Sequence, residues 1–542
     1  MSMGCAREPC PPHAGDLHDS ARRREGRVHC AKEEAFGLKR GFAARALAMD
    51  LDHCKPLSPA LPLPRDETSP MTEPMRFYST NRNVPDVGLR EALLQGQAKD
   101  RGLFMPRTFP VLTRDNLDAM RSMDYPGVAC AVLRLFTSGV IDDDKLAALC
   151  EDAYNFDVPL DPVEGRRFVL RLDRGPTASF KDFAARMMAR WMSLLMPDDG
   201  VDLVILTATS GDTGSAVAHA YHGVPRVSVV VLFPVSEVSD RQRRQMTTLG
   251  GNVTTVAVDG KFDDCQALVK RAFSDPEIGH IRLSSANSIN IGRLLPQAVY
   301  YFYAWSRVAA PRSEAPVVFS IPSGNFGDMM GAVIAKRMGL PIERLVIATN
   351  ANDEVPRYLA TGTYEKIVPS RECISNAMNV GHPSNLARLV DLYGGWLDET
   401  GAERQRPDLD RMRRDLFAVS ISDDETRATI RNAWNKHGLL LEPHGAVAWA
   451  GLLEYLAQTG SASGRSTERH GEGDPLYVSV ATAHPAKFPD DVRLLTGVEP
   501  EVPPSLQGLE ERTEHFESMA AHYDNLRDLL DEHFRRQREG SL

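Results

Sequence analysis

From position 75 onward the chain alternates between two hydrophobic rhythms. Short, almost uninterrupted apolar runs at 168–172, 201–207, 227–233, 253–258, 316–321, 345–349 and 477–482 predict buried β-strands. Between them the apolar residues fall three and four apart, which predicts helices at 214–221, 241–249, 263–273 and 329–338, three of them closed by glycine. The same spacing follows the first run, where Phe183, Met187, Trp191 and Leu195 stand four apart with Ala184, Met188 and Met192 beside them. Apolar strands alternating with helices mean parallel sheets covered on both faces. Two such series predict an α/β protein of two doubly wound parallel-sheet domains with a cleft between them. Ahead of this body lies a helical lead-in: a short strand at 76–80, then helices at 86–99, 125–136 and 143–153, with Asp86 as N-cap of the first. Behind it, Phe516, Met519, Tyr523, Leu526 and Leu530 keep helical spacing and predict C-terminal helices.

Two stretches keep neither rhythm. Residues 1–74 mix Pro, Arg, acids and Cys without periodicity and read as a disordered or non-native extension, with Met71 or Met75 as a later start that an intact-mass measurement tests. Acids at Glu8, Asp16 and Glu25 fit a transit peptide poorly. Residues 461–475 are polar and Gly-rich and read as a mobile insert. The expected organisation is therefore an extension (1–74), an N-terminal region (75–165), a catalytic body (166–498) and C-terminal helices (499–542).

Composition narrows the class. A net charge of −10 argues against a general nucleic-acid binder, and no apolar stretch reaches membrane-span length. The eight cysteines contain no C-x-x-C pair, so Cys130, Cys150, Cys265 and Cys373 are expected as reduced thiols of a cytoplasmic protein. No paired His/Glu spacing suggests a metal hydrolase.

Four motifs carry candidate chemistry, each just after an apolar run. Lys181 opens a helix, where free N–H groups and a partial positive charge disfavour an ammonium and lower the pKa of an amine able to form a Schiff base. By itself a helix-start lysine is more often solvated. Thr207-Ala-Thr-Ser-Gly-Asp-Thr-Gly214 gathers hydroxyls and N–H groups suited to a carboxylate, or to ordinary capping by Asp212 or Thr213. Pro322-Ser-Gly-Asn-Phe-Gly-Asp328 is neither a Walker loop nor a dinucleotide fingerprint, yet its N–H groups can cradle a phosphate. Thr482 presents a neutral hydroxyl, while His484 reads as a structural histidine. Together they ask for one molecule with an aldehyde, a phosphate and a ring nitrogen, which pyridoxal 5'-phosphate supplies.

These residues resemble the threonine synthase family. The resemblance rests on Ser179-Phe-Lys-Asp-Phe-Ala184, Ala208-Thr-Ser-Gly-Asp-Thr-Gly214, Asn287-Ser-Ile-Asn-Ile-Gly-Arg-Leu-Leu295, Ser323-Gly-Asn-Phe-Gly327 and Ala481-Thr-Ala-His-Pro-Ala-Lys-Phe488. Phe77-Tyr-Ser-Thr80, Gly102-Leu-Phe-Met-Pro106 and Glu442-Pro-His-Gly-Ala-Val447 are similar to the family as well, so that it covers the chain from Met75 onward. It implies a fold-type II pyridoxal phosphate enzyme, a lyase of threonine biosynthesis that turns O-phospho-L-homoserine and water into L-threonine and phosphate, by γ-elimination and then water addition at Cβ. It implies Lys181 as the catalytic lysine that carries the cofactor as an aldimine. Gly324, Asn325, Phe326, Gly327 and Asp328 would hold the cofactor phosphate, Thr482 the ring nitrogen, and Asp212 would stand near the 3′-oxygen. Thr209, Ser210 and Thr213 would bind the substrate carboxylate and Arg293 its phosphate, Arg293 otherwise being a structural ion pair. No metal is implied, the partner is a small-molecule substrate, and the assembly is a monomer or homodimer in the cytoplasm. The alternatives are a β-eliminating phospho-lyase or serine/threonine dehydratase of the same fold, and a non-catalytic cofactor-binding protein. The triple Arg241, Arg243, Arg244 reads as a solvated helix face.

Overall fold

Two parallel sheets organise the computed structural model, which describes residues 73–313, 315–460 and 474–539. The extension 1–74 and the insert 461–475 lie almost wholly outside the described residues. The larger sheet has six strands in the order Leu416–Ser420, Ile342–Thr349, Val317–Pro322, Leu476–Ala481, Arg167–Arg171, Leu160–Glu164. All neighbours pair parallel except the last two, which form an antiparallel edge. The smaller sheet has five strands, all parallel, in the order Glu517–Ala520, Val253–Asp259, Val227–Pro234, Leu203–Ala208, Arg282–Ser284. Both belong to one compact unit. The chain enters the larger sheet, builds most of the smaller one, returns to the larger, and ends by adding an edge to the smaller.

Period-two alternation explains why both faces are covered. In the smaller sheet Leu203 and Ile205 join Val217, Tyr221, Val229 and Met246 on one face. Their neighbours Val204 and Leu206 join Val256, Cys265, Leu268 and Leu526 on the other. The helix Lys181–Leu195 packs against both cores. Its stripe Phe183, Met187, Trp191 and Leu195 belongs to the larger core, and Ala185, Met188 and Met192 to the smaller sheet's. A helix gripped on two sides has little freedom to slide, so the residue at its first position, Lys181, is held where the two layers meet.

Three differences from the sequence reading have physical causes. The region 499–542 is not all helix: after two short 3-10 turns, Glu517–Ala520 is a strand paired parallel with Val256 to Asp259, and among its described residues the α-helix is Tyr523–Glu539. The edge of the smaller sheet supplies backbone partners that local periodicity cannot report. The lead-in contains a three-stranded antiparallel sheet as well as helices. Asp86 does not cap a helix there; it accepts a hydrogen bond from Arg107 Nε at 2.7 Å, and the helix starts later, at Leu89–Gln95. The arginine triple is not a solvated face either. Arg243 makes a two-pronged contact with Glu514 at 2.9 and 3.2 Å, Arg241 meets Glu510 at 3.3 Å, and Arg244 reaches Glu514 at 3.6 Å, so the three fasten the C-terminal segment.

The last helix is part of the core. Leu526 is fully buried against the smaller sheet, so Leu526→Ala should cost about 2–5 kcal/mol. The urea midpoint of the full chain checks this, and an unchanged midpoint would show the helix to be peripheral. Cys130, Cys150, Cys265 and Cys373 are free thiols. Among the described residues no helix is long and apolar enough to cross a membrane, and no cluster of three or more His, Cys, Asp or Glu could hold a metal.

Candidate active site

All twelve candidate residues line one cleft of about 900 Å³, counting its open mouth. They arrive from the C-terminal ends of strands, where open α/β sheets leave a crevice. Leu203–Ala208 delivers Thr209 to Thr213, Val317–Pro322 delivers Gly324 to Asp328, Leu476–Ala481 delivers Thr482, and Arg167–Arg171 leads through a loop to Lys181. The loop is pinned to the neighbouring strand end, because Phe180 N–H donates to the Thr482 carbonyl at 2.9 Å and His484 N–H to that of Ala178 at 3.1 Å.

Lys181 is largely buried, its Nζ 3.6 Å from Asp212 Oδ2 and 4.6 Å from the centre of the Phe180 ring. Burial lowers its pKa and is the largest influence; Asp212 pulls it back up, and the cations Lys487 and Arg293, each a smaller influence, push it down again. The neutral amine, the form able to act as a nucleophile or base, is thus favoured. Burial pushes the Asp212 carboxyl up, but Lys487 and Lys181 outweigh that and hold it well below the ordinary carboxylate range.

The 324–328 turn is built to face an anion. Among the described residues, none of its five N–H groups has a protein acceptor. Phe326 sits in the left-handed region at φ 62°, a strained conformation for a non-glycine, and this turns successive N–H groups into one concavity. The Asn325 side chain points elsewhere: its Oδ1 accepts from Ser384 N–H at 2.7 Å, and the Asn325 carbonyl accepts from Asn385 Nδ2 at 2.8 Å. Asp328 Oδ1 accepts from the Tyr301 hydroxyl at 2.6 Å and from that of Tyr300, while its Oδ2 is buried without a partner. Burial pushes the Asp328 carboxyl up to about 6, against the pull of the two hydroxyls. Gly324 packs so closely that an added Cβ would lie 2.8 Å from Met378 Cα. Gly324→Ala should therefore cost about 1–3 kcal/mol in the cradle, seen as roughly 5- to 150-fold weaker binding of added pyridoxal phosphate in a fluorescence titration. Unchanged binding would remove the cradle assignment.

Thr209 also holds its own loop in shape. Its hydroxyl oxygen accepts from Gly211 N–H at 2.9 Å and Gly214 N–H at 2.7 Å, so it shapes the loop. Ser210 and Thr213 are half-buried, with hydroxyls that have no protein partner among the described residues. Among the described residues Arg293 has no ion-pair partner. It is 3 % exposed, donates through Nη1 to the Ala286 carbonyl at 2.6 Å, and leaves Nε unpaired. Burial lowers its pKa to about 10.

Sequence reasoning passed over several residues on and behind these walls. Lys487, inside a quoted motif, is fully buried with Nζ 2.5 Å from Asp212. Asn287 and Gln297 line the cleft, and each leaves a buried side-chain oxygen unpaired. His444 accepts from Ala377 N–H on Nε2 at 3.1 Å, so its proton is on Nδ1, 2.6 Å from Glu442. It thereby holds the turn that touches Gly324. Lys487, Asn287 and His444 carried a signal, their place in the motifs; a lone buried Gln gives none.

The donor set fits pyridoxal phosphate: an unpaired N–H cradle for its phosphate, a buried amine for its aldehyde, and a neutral hydroxyl at Thr482. Comparison with known proteins agrees. The sequence pattern of the pyridoxal-phosphate dependent enzymes matches residues 159–467. Patterns for the threonine synthase N terminus and the threonine synthase C-terminal region match residues 76–154 and 459–530. The chain belongs to the threonine synthase family. It is 39 % identical to the threonine synthase of Haemophilus influenzae over 437 residues, which is 80 % of this chain and 94 % of that one. It is 37 % identical to that of Escherichia coli over 433 residues, again 80 % of this chain and 94 % of the relative. A crystal structure of pyridoxal-phosphate-bound threonine synthase from Brucella melitensis superposes with TM-score 0.76 at 37 % identity, covering 85 % of this chain and all of that one. The yeast threonine synthase structure superposes with TM-score 0.75 at 31 % identity, covering 85 % of this chain and 99 % of that one. The fold-type II architecture and the cofactor class read from the sequence therefore stand.

Proposed function

We propose that this threonine synthase family member converts O-phospho-L-homoserine and water to L-threonine and phosphate, using Lys181 as the catalytic lysine and the other cleft residues as its binding site. Arg293 carries this reading. A buried guanidinium with no acidic partner among the described residues, in the same cleft as a buried amine, calls for an anion from outside. A phosphorylated substrate brings one.

The cofactor, when bound, supplies an electron-withdrawing ring conjugated to the substrate's α-carbon. The chain's residues do the rest. The N–H groups of Gly324, Asn325, Phe326, Gly327 and Asp328 hold the cofactor phosphate, Thr482 faces the ring nitrogen, and Asp212 lies beside the reacting amine. Thr209, Ser210 and Thr213 bind the substrate carboxylate, and Arg293 holds the substrate phosphate. The neutral Lys181 amine takes the α-proton, and a second proton leaves Cβ as the Cγ–O bond to phosphate breaks. A proton is placed on Cγ, the hydroxyl of water adds at Cβ while its proton goes to the released phosphate, and Lys181 returns the α-proton. Arg293 neutralises the phosphate as it leaves, and the buried walls exclude stray water.

The domain organisation proposed is a catalytic body completed by the C-terminal strand and helix. The enzyme acts as a monomer or homodimer in the cytoplasm, without nucleic acid. The test is phosphate release from O-phospho-L-homoserine, with the amino-acid product identified by chromatography. Phosphate and threonine in equal amounts support the assignment. Formation of 2-oxobutanoate in place of threonine would move it to the lyase or dehydratase alternative.

A further inference from the structure

One carboxylate stands between two buried amines. Asp212 lies in the first turn of the helix Asp212–Tyr221 and is 2 % exposed. Its Oδ1 meets Lys487 Nζ at 2.5 Å and accepts from Gln242 Nε2 at 2.9 Å, and its Oδ2 faces Lys181 Nζ at 3.6 Å. Lys487 is 0 % exposed in its side chain and also donates to the Thr177 carbonyl at 3.0 Å. We infer that Lys487 is a positioning residue, which occupies Asp212 so that Lys181 is left as the neutral amine.

A low-dielectric site holding one carboxylate and two amines is least costly with one proton too few for both amines, because a second buried cation would be uncompensated. Geometry decides which amine keeps its proton. Lys487 has two acceptors at close range, whereas Lys181 has one longer contact. The other groups around this trio push the same way or are occupied. Arg293, from the 3-10 turn Ile291–Arg293, adds a like charge against Lys181. Asp328, on the helix Gly327–Arg337, opposes it but is held by Tyr300 and Tyr301. On the Lys487 side, Asp182 is bound by Thr177 through N–H and hydroxyl at 2.8 and 2.6 Å, and His484 caps the turn carrying Lys487. Burial lowers the pKa of His484 to about 4, so it brings no charge at neutral pH.

This inference rests on Lys181 being the reacting amine, and its test uses no substrate, so it stands or falls apart from the substrate assignment. The full-length protein, freed of cofactor, is trace-labelled with acetic anhydride across a pH series, and Lys181 acetylation is read by mass spectrometry. In Lys487→Met, Asp212 turns to Lys181, and the labelling midpoint should rise by about 1–3 pH units. In Asp212→Asn the anion is gone while Lys487 stays, so the midpoint should fall. A residue that only supports the fold would lower labelling or the melting temperature without moving the midpoint. A midpoint unmoved in Lys487→Met, or one that rises in Asp212→Asn, overturns the inference. Should Lys487→Met fail to fold by circular dichroism, Lys487→Gln is read in the same way, and an unmoved midpoint there overturns the inference.

Discussion

Lys181→Ala should lower threonine formation by at least about 10²–10⁴-fold, the range spanned by a positioned general acid–base group. It should also leave pyridoxal phosphate free to separate from the protein on gel filtration. Both effects follow from one atom. Lys181 Nζ is the buried amine at the layer boundary, disfavoured as an ammonium by burial and by Lys487 and Arg293. Alanine removes the nucleophile for the aldehyde and the base for the α-proton together. The fold should survive, because Asp212 keeps Lys487 at 2.5 Å and Gln242 at 2.9 Å. A melting curve near wild type with activity lost would fit. A variant that kept a tenth of its activity, or that carried the cofactor covalently, would remove Lys181 from the chemistry.

Arg293→Met should have the next largest effect, and a different one. A buried charged contact with the substrate phosphate is worth about 2–5 kcal/mol on truncation, so KM for O-phospho-L-homoserine should rise by roughly 30- to several-thousand-fold. Cofactor binding should hardly change, since the 324–328 cradle does not involve this side chain. Stability should change little. An unpaired buried cation is itself costly, and among the described residues the guanidinium gives up only its hydrogen bond to the Ala286 carbonyl. Steady-state kinetics and a urea melt together check this. An unchanged KM with a large stability loss would make Arg293 a structural residue.

Much of this architecture is legible in the order of residues. The strands at 203–208, 227–234 and 253–259 are continuous apolar runs, and the anion-binding turns sit at strand-to-helix junctions, so sheet class and site position follow from pattern and motif order. What local pattern misses is long-range. Asp86 has the chemistry of a cap, but Arg107, 21 residues away, claims it. Met519 has helical spacing, but a sheet edge draws it into a strand. Arg241, Arg243 and Arg244 look solvated until acids some 270 residues later arrive beside them.

Local pattern alone set the α/β class, the order of the anion-binding turns and the lysine at a helix start, because strand and helix periodicity and backbone chemistry act over a few residues. The charge relations within the site were settled by the packing of distant segments. Lys487 lies beside Asp212, Arg293 lacks any acidic partner among the described residues, and the Thr209 hydroxyl oxygen holds its own loop. Those facts depend on how close side chains from separate elements come and how far water is excluded, and no local pattern encodes either.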